Sequence, residues 1–303
     1  MTLRWRDPRL LQIGSLASLL IYGVGWRGLD VQTAFVPAIL GAALLTQWIG
    51  MRLTRVPGFE PRSALISALS VCLLLRTNHI GWAIAGAVLS VGSKFVFRWN
   101  GKHIFNPTNF GLVALLIVTD RVWVSPGQWG SAPLIALIMA GAGTLVVTRA
   151  ARADVTLGFL AAYAGVLVGR ALWLGQPLTI PQHQMASGAL VLFSFFMISD
   201  PKTTPDSRAG RIIFAALVAA GAGAVHFLLY RPNGLLWSLA AFSLIVPLID
   251  PLLPGVRYAW SSRLAPAMAG QRRRWLPPRA RSSESPAGAT STRRAPAPAG
   301  QAR

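Results

Sequence analysis

Long apolar runs, separated by short charged or Pro/Gly-rich breaks, dominate the chain up to about residue 256. Ten such segments lie at about residues 10–26, 32–50, 63–76, 80–97, 107–119, 132–148, 155–173, 187–199, 212–230 and 235–253. Runs of about 17–25 apolar residues match the hydrocarbon core of a bilayer, which is roughly 30 Å thick. The pattern predicts an all-α integral membrane protein with about ten transmembrane helices.

Three of these segments, 63–76, 107–119 and 187–199, are too short to cross a bilayer comfortably as straight helices. Residues 63–119 and 187–253 share one order: a short segment, a polar break, a long segment, a second break and a third segment. The two stretches begin five segments apart, so their helices run in opposite directions. We therefore expect an inverted repeat with two pairs of broken or short helices, an arrangement that in transporters marks a site near the membrane midplane.

The basic residues predict the orientation. With the N-terminus in the cytoplasm, alternate loops place 24 of the 29 lysines and arginines on the cytoplasmic side. This distribution obeys the positive-inside rule. We expect both termini to be cytoplasmic, in a multi-pass protein of a bacterial-type inner (plasma) membrane.

Composition agrees with this interpretation. The chain is 53% hydrophobic and 13% charged, whereas soluble domains carry about 25% charged residues. Its net charge of +20 comes from short loops and from residues 257–303, which hold ten arginines and one acidic residue. We therefore expect anionic lipid, and no nucleic acid, as a partner of the basic residues. The Arg/Pro/Ala/Ser-rich stretch 257–303 is predicted to be a disordered cytoplasmic tail after a polytopic domain of residues 1–256.

The first candidate motif, Asn106-Pro-Thr-Asn-Phe-Gly111, stands where an apolar helix should start. Asn106 suits the N-cap and Pro107 the first helical turn, so one interpretation is simply a well-capped helix. The other uses the same groups. A helix N-terminus inside the membrane attracts an anionic or carbonyl-bearing ligand, and Thr108 and Asn109 would add hydrogen bonds.

The second motif, Ser199-Asp-Pro-Lys-Thr-Thr-Pro205, follows a short aromatic-rich run. It could be a cytoplasmic turn, because Asp-Pro and Thr-Pro break helices. However, a carboxylate such as Asp200 at the edge of a short span is costly unless it meets a cation or a ligand. Lys202, Thr203 and Thr204 could then hydrogen-bond phosphate or carbonyl groups.

A third stretch, residues 93–103, combines three cations with four aromatic residues. Lys94 and its neighbours are either snorkelling cations beside an aromatic belt or the rim of a site for an isoalloxazine or quinone ring. The four histidines stand in separate segments, and the single cysteine, Cys72, lies in an apolar run. We therefore expect no metal site and find no catalytic constellation.

Residues 102–111, together with 199–205 and the following Gly210-Arg211, resemble the RnfD/NqrB family. These are the ten-helix membrane subunits of the Rnf and sodium-pumping NADH:quinone oxidoreductase complexes, and the resemblance covers about residues 10–253. In length and around residues 100–111, the chain is most similar to a shorter, UnbU-like branch encoded beside enediyne biosynthesis genes.

The resemblance implies a flavin-bearing subunit that passes electrons across the bilayer, in some members coupled to Na⁺ or H⁺ movement, with other membrane redox subunits as partners. Asp200 would then lie on the ion path. The residues expected near a flavin are Asn106, Pro107, Thr108, Asn109, Lys94, Lys202, Thr203 and Thr204.

One departure concerns the covalent FMN that some family members attach to a threonine in a Ser/Thr-Gly-Ala-Thr-type motif. The outer loop 120–131 contains no threonine, and Ser187-Gly-Ala-Leu190 has leucine at the acceptor position. Ala287-Gly-Ala-Thr290 lies in the predicted cytoplasmic tail, on the wrong side. The resemblance therefore implies a non-covalent FMN or riboflavin.

Two other functions stay open from the sequence. Broken helices that meet at the midplane equally describe a small-solute or ion transporter or channel without redox activity. The chain could also be an accessory membrane protein of a biosynthetic cluster.

Overall fold

The structure, a computed structural model, describes residues 7–26, 31–55, 58–125 and 133–258. Helices occur where the apolar runs predicted them. In the first half they are α1 Pro8–Gly25, α2 Val36–Leu53, α3 Arg62–Leu74, α4 Ile80–Val96 and α5 Pro107–Val118. In the second half they are α6 Pro133–Arg149, α7 Ala153–Trp173, α8 Thr179–Met185, α9 Gly188–Leu192, α10 Arg208–Phe227, α11 Gly234–Ser243 and α12 Val246–Leu252. A 3₁₀ turn at Thr33–Phe35 leads into α2, and a π-helical turn at Phe193–Met197 continues α9.

Three of the described helices are long and apolar enough to cross a membrane: Thr33–Leu53, Ala153–Trp173 and Arg208–Phe227. The pair α11–α12 would make a fourth span if it is one broken helix. The segments predicted to be short are short, with 13 residues in α3 and 12 in α5. The figure of ten spans and the cytoplasmic placement of both termini stay predictions, and residues 259–303 of the predicted tail lie outside the described residues.

The segment predicted as one helix over residues 235–253 is bent by 51° between α11 and α12. Pro247 stands in the first turn of α12. Because proline has no amide hydrogen, it cannot bond the carbonyl four residues before it, and its ring crowds that turn. The chain tightens there instead, with the amide of Ile245 bonded to the carbonyl of Phe242 at 3.0 Å.

The structure adds two short antiparallel strand pairs that the sequence analysis did not predict. Strand β1 (Leu75–Thr77) pairs with β4 (Val122–Val124), so the chain leaving α3 is bonded to the chain leaving α5. Strand β2 (Arg98–Trp99) pairs with β3 (Lys102–His103). Asn100 and Gly101 between them both have positive φ, 49° and 77°, as a two-residue hairpin turn requires.

Two long helices each form the centre of a packed group. Helix α4 packs against α2 and α5, and α10 packs against α7 and α11. A Cβ atom on Gly111 of α5 would lie 2.9 Å from the carbonyl oxygen of Gly86 on α4. A Cβ atom on Gly234 of α11 would lie 2.7 Å from the carbonyl oxygen of Ala222 on α10. In both groups, then, a glycine allows the third helix to contact the backbone of the long helix.

Candidate functional site

A cavity of about 300 Å³ lies between α1–α6, the β2–β3 hairpin and the loop after the π-helical turn. We call it the polar cavity. Six of the nine residues predicted from the sequence line it: Lys94, Asn106, Pro107, Thr108, Asp200 and Lys202. The fold therefore brings together the two motifs, which are separated by about ninety residues in the sequence.

Asn106 holds the start of α5 at this cavity. Its side-chain oxygen accepts a hydrogen bond from the amide of Asn109 at 3.0 Å, and Pro107 occupies the first helical turn. The predicted N-cap and helix start are thus confirmed. The side-chain amide of Asn106 also donates to the carbonyl of Met197 at 3.2 Å, so this residue binds the end of the π-helical turn as well as its own helix.

Lys94 brings a buried positive charge to the cavity wall. It lies in the last turn of α4 and is 4% exposed. Its ammonium donates to the hydroxyl of Ser63 on α3 at 3.1 Å. Among the described residues no carboxylate lies within 4.0 Å of this ammonium. A buried ammonium held mainly by a neutral hydroxyl is well suited to a ligand carbonyl or an anion.

Asp200 begins a tight turn at the edge of the cavity. Its carboxylate accepts from the backbone amide of Lys202 at 3.0 Å, and its carbonyl accepts from the amides of Thr203 and Thr204, both at 3.1 Å. Burial raises the pKa of the Asp200 carboxyl, against the opposing effects of the Lys202 amide and nearby cations. Burial likewise lowers the pKa of the Lys202 ammonium.

Three predicted site residues lie behind the cavity wall and do not line it. The hydroxyl of Thr203 donates to the carbonyl of Asp200 at 3.3 Å, and that of Thr204 accepts from the guanidinium of Arg152 at 3.0 Å. The side-chain amide of Asn109 donates to the carbonyl of Leu236 on α11 at 3.2 Å. The contacts of these three residues hold the walls together.

The sequence analysis missed a neutral polar surface in the cavity. Ser63, Ser67 and Ser70 line it from α3, with Gln12 from α1 and Gln47 from α2. The serines are spaced four and three residues apart, so they share one face of their helix. That spacing within an apolar run was a readable signal for a polar stripe.

Charged residues occupy one end of the cavity. Arg9 lies in the first turn of α1, where it is paired with Asp7 at 2.7 Å and lies 3.5 Å from Glu60. Arg98 and Lys202 also line the cavity. With Lys94, four cations face two lining carboxylates, those of Glu60 and Asp200. This end, which we call the charged end, favours an electron-rich or anionic group.

The neutral residues lie further along the helices. At about 1.5 Å per residue, Ser70 lies about 12 Å beyond Arg62 at the start of α3. Gln47 lies about 9 Å before the end of α2 at Leu53. The cavity thus has a second, neutral end lined by amides and hydroxyls. Its apolar walls include the rings of Phe95, Phe195 and Phe196.

The β2–β3 hairpin carries His103 to the cavity and is fixed from outside. Burial, and after it the positive charges of Arg98, Lys94 and Lys202, lowers the pKa of the His103 imidazole to about 3, so the ring is neutral at pH 7. The adjacent Lys102 points away. Its ammonium lies 3.0 Å from the carboxylate of Asp206 and 2.7 Å from that of Asp250.

Known proteins resemble the chain over most of its length. The model of the NQR2, RnfD, RnfE family matches residues 120–258. An ion-translocating oxidoreductase complex protein of the RnfD type from Shigella dysenteriae serotype 1 is 33% identical over 257 residues, which make up 80% of this chain and 69% of the relative. The corresponding protein of Escherichia fergusonii is 24% identical over the same length and coverage. That of Salmonella dublin is 26% identical over 235 residues, or 72% of this chain and 63% of the relative.

The predicted resemblance is confirmed at the level of the family, whereas the closer likeness to the UnbU-like branch stays a prediction. The matched region includes the second motif, and the alignments with the Shigella and Escherichia proteins cover four fifths of the chain. With its long apolar helices, the chain is a membrane protein that belongs to the NQR2, RnfD, RnfE family.

Proposed function

We propose that the chain is a membrane-embedded electron-transfer subunit that holds a non-covalent FMN or riboflavin in the polar cavity. The observation that carries this proposal is the meeting of the two family-like motifs, through Asn106 and Asp200, at one cavity. The relatives are named as subunits of an ion-translocating oxidoreductase complex. We therefore expect this chain to work with other membrane redox subunits.

The residues of the cavity fit a flavin. At about 300 Å³ the space falls at the lower end of the range for small-molecule sites. The rings of Phe95, Phe195 and Phe196 would pack against an aromatic ring system. Lys94 and Lys202 would bind electron-rich carbonyl groups or a phosphate. When bound, a flavin supplies one- and two-electron transfer, while the protein binds and orients it and excludes water.

Each predicted ligand residue has a distinct part in this proposal. Pro107 and Thr108 present the N-terminus of α5 to the cavity, where backbone amides favour an electron-rich group. Asn106 is already bonded to two backbone groups, which supports a positioning part for it. Asn109, Thr203 and Thr204 would support the site from behind its wall.

Leucine at the position of the acceptor threonine supports non-covalent binding. Leu190 in α9 is 2% exposed and packs in the apolar core. A leucine side chain offers no oxygen to form a phosphoester bond. Thr290 and most of the loop 120–131 lie outside the described residues.

We further propose that electron transfer is coupled to Na⁺ or H⁺ movement past Asp200. This carboxyl faces the cavity at the end of a short, π-bulged helix, and such irregular turns are common at functional sites. The matched packing of α4 with α5 and of α10 with α11 supports the inverted repeat on which such a path would rest. The basic loops support a bacterial inner-membrane location next to anionic lipid.

The test is the absorbance spectrum of protein purified in detergent from a flavin-replete host, combined with intact mass spectrometry. We expect a yellow protein whose mass equals that of the unmodified chain and whose flavin is released on denaturation. Lys94→Met should reduce flavin content about tenfold or more, since it removes a charged hydrogen-bond donor. Arg208→Met, which removes an exposed cation at the start of α10, is the matched control. Colourless, flavin-free protein would contradict the proposal.

The shortened helices around the cavity also support a second candidate, a small-solute or ion transporter without redox activity. Solute uptake into liposomes by the isolated protein, without any reductant, would favour it. Strict dependence on a reductant would favour electron transfer. An accessory protein of a biosynthetic cluster would instead tolerate alanine at both Asn106 and Asp200.

A further inference from the structure

Two buried acceptor atoms belong to residues that line the polar cavity and have no hydrogen-bond partner among the described residues. They are Oε1 of Gln47 and Nδ1 of His103. Gln47 is 7% exposed and stands in α2 among apolar residues. A buried polar atom without a partner costs about 1–3 kcal/mol. Two such atoms at one cavity therefore point to a ligand that satisfies them.

The imidazole of His103 also makes a hydrogen bond to the backbone of Lys94. Since Nδ1 has no partner, that bond runs from Nε2, which must carry the hydrogen to donate to a carbonyl. A neutral imidazole with its hydrogen on Nε2 presents Nδ1 as an acceptor. The side-chain oxygen of Gln47 can only accept. Both unpaired atoms thus require a ligand that donates N–H or O–H groups.

The surroundings of the two acceptors differ. His103 stands near Lys94, Arg98 and Lys202, which attract electron-rich carbonyls. Its environment matches an imide, in which one N–H lies between two carbonyl oxygens. Gln47 is at the neutral end with Ser67 and Ser70, where no charged residue of the described part of α2 or α3 lines the cavity. That environment matches a row of hydroxyl groups.

We propose that His103 and Gln47 are specificity-determining residues of the polar cavity, with His103 accepting from the imide N–H of the flavin ring and Gln47 from a ribityl hydroxyl. This inference rests on the proposed flavin site. It adds a direction to it: the pyrimidine edge of the ring at the charged end and the polyol chain at the neutral end.

The test measures dissociation constants by quenching of flavin fluorescence, on flavin-stripped protein in detergent. Three probes are used: riboflavin, N3-methylriboflavin, which lacks the imide hydrogen, and lumiflavin, which lacks the ribityl hydroxyls. The wild type should bind each analogue about tenfold or more weakly than riboflavin, the effect of one buried hydrogen bond left unmade. This comparison needs no variant and therefore does not depend on variant folding.

The variants assign each acceptor. His103→Leu should weaken riboflavin about tenfold and remove the discrimination against N3-methylriboflavin, while leaving the discrimination against lumiflavin. Gln47→Leu should do the reverse. Gln12→Leu, which changes a half-buried amide of the same cavity, should alter neither ratio.

Two results would overturn the inference and can be told apart. Wild-type protein that binds no flavin at all refutes the proposed function, and this inference with it. Wild-type protein that binds riboflavin and both analogues equally refutes the assignment alone. Variants that lose all three ligands by the same factor would also refute it, because a merely structural role moves every affinity together.

Discussion

The side-chain amide of Asn106 donates a hydrogen bond to the backbone carbonyl of Met197 over 3.2 Å. Asn106 caps α5 in the first half of the chain, and Met197 ends the π-helical turn in the second half. One buried side chain thus fixes the position of the helix start at the first motif relative to the turn that leads into the second.

We predict that Asn106→Ala lowers the free energy of unfolding in detergent by about 2–4 kcal/mol, because it removes an N-cap and leaves the buried carbonyl of Met197 unpaired. Asn106→Ser keeps an oxygen for the amide of Asn109 and should recover about 1 kcal/mol. Thermal unfolding followed by circular dichroism measures both. Equal stability of the alanine variant and the wild type would show that the link contributes nothing.

Gly111→Ala should separate α4 from α5. The added Cβ would lie 2.9 Å from both the carbonyl oxygen of Gly86 and the amide nitrogen of Ser90, and backbone atoms cannot move aside as a flexible side chain can. We expect a loss of about 1–3 kcal/mol, typical of overpacking. Gly81→Ala in α4 meets no atom within 4 Å and serves as the control. The prediction fails if both variants unfold at the same temperature.

Gly50→Ala should disturb the cavity itself. A Cβ at this position in α2 would overlap the ring of Phe95, which lines the cavity and would have to move. We expect flavin content to fall severalfold while the protein still folds, since one ring can rotate at a cost of about 1–3 kcal/mol. Gly41→Ala, in the same helix but in open space, should retain the wild-type flavin content. The ratio of flavin to protein absorbance measures both.

Lys102→Met should destabilise the protein by about 2–4 kcal/mol, somewhat less than the loss of one partner of a fully buried pair. It leaves the carboxylates of Asp206 and Asp250 without their shared cation, at side-chain exposures of 12% and 22%. Adding Asp250→Asn to this variant removes one of the two charges. The double variant should therefore lose less than the sum of the single changes. Strict additivity in the unfolding measurements would refute the coupling.

Stability should depend on pH through His103. Its pKa is lowered to about 3, from 6.5 in the unfolded chain. Between these values the unfolded chain binds a proton that the folded chain does not, so stability falls as the pH falls. From pH 7.5 to pH 5 the loss should be about 1–2 kcal/mol, and His103→Gln should remove it.

Asp200 contributes to the same titration with the opposite sign. Its pKa is raised above 3.8, so the folded chain binds the proton more readily, and this group favours the folded state as the pH falls. Comparing wild type with His103→Gln at both pH values isolates the histidine, and Asp200→Asn isolates the carboxyl. An unchanged pH dependence in His103→Gln would contradict the assignment.

Local chemistry made the helix start at Asn106 and Pro107 predictable, because N-cap and first-turn preferences act within one turn of the chain. The Asn100-Gly101 turn was equally readable from its positive-φ residues, but the search for apolar runs passed over it. The bend before Pro247 carried a signal as well, since a proline within a 19-residue apolar run interrupts the helical bonding.

The rest of the site depends on long-range packing, which one sequence does not reveal. Gln47 is a single polar residue in an apolar helix, and its place at the cavity follows only once α2 packs against α4. Similarly, Thr203 and Thr204 have the chemistry of ligand-binding residues. Their hydroxyls are taken up by Asp200 and Arg152, a contact set by the fold of the turn.

The ion pairs of Lys102 connect binding to movement. Lys102 joins strand β3 to Asp206, before α10, and to Asp250 in α12, while the next residue, His103, faces the cavity. A rotation of α10 and α12 against the first half must therefore either break these pairs or displace the histidine. By thermodynamic reciprocity, any occupant whose affinity depends on the position of His103 biases that rotation by the same free energy with which the rotation alters its affinity.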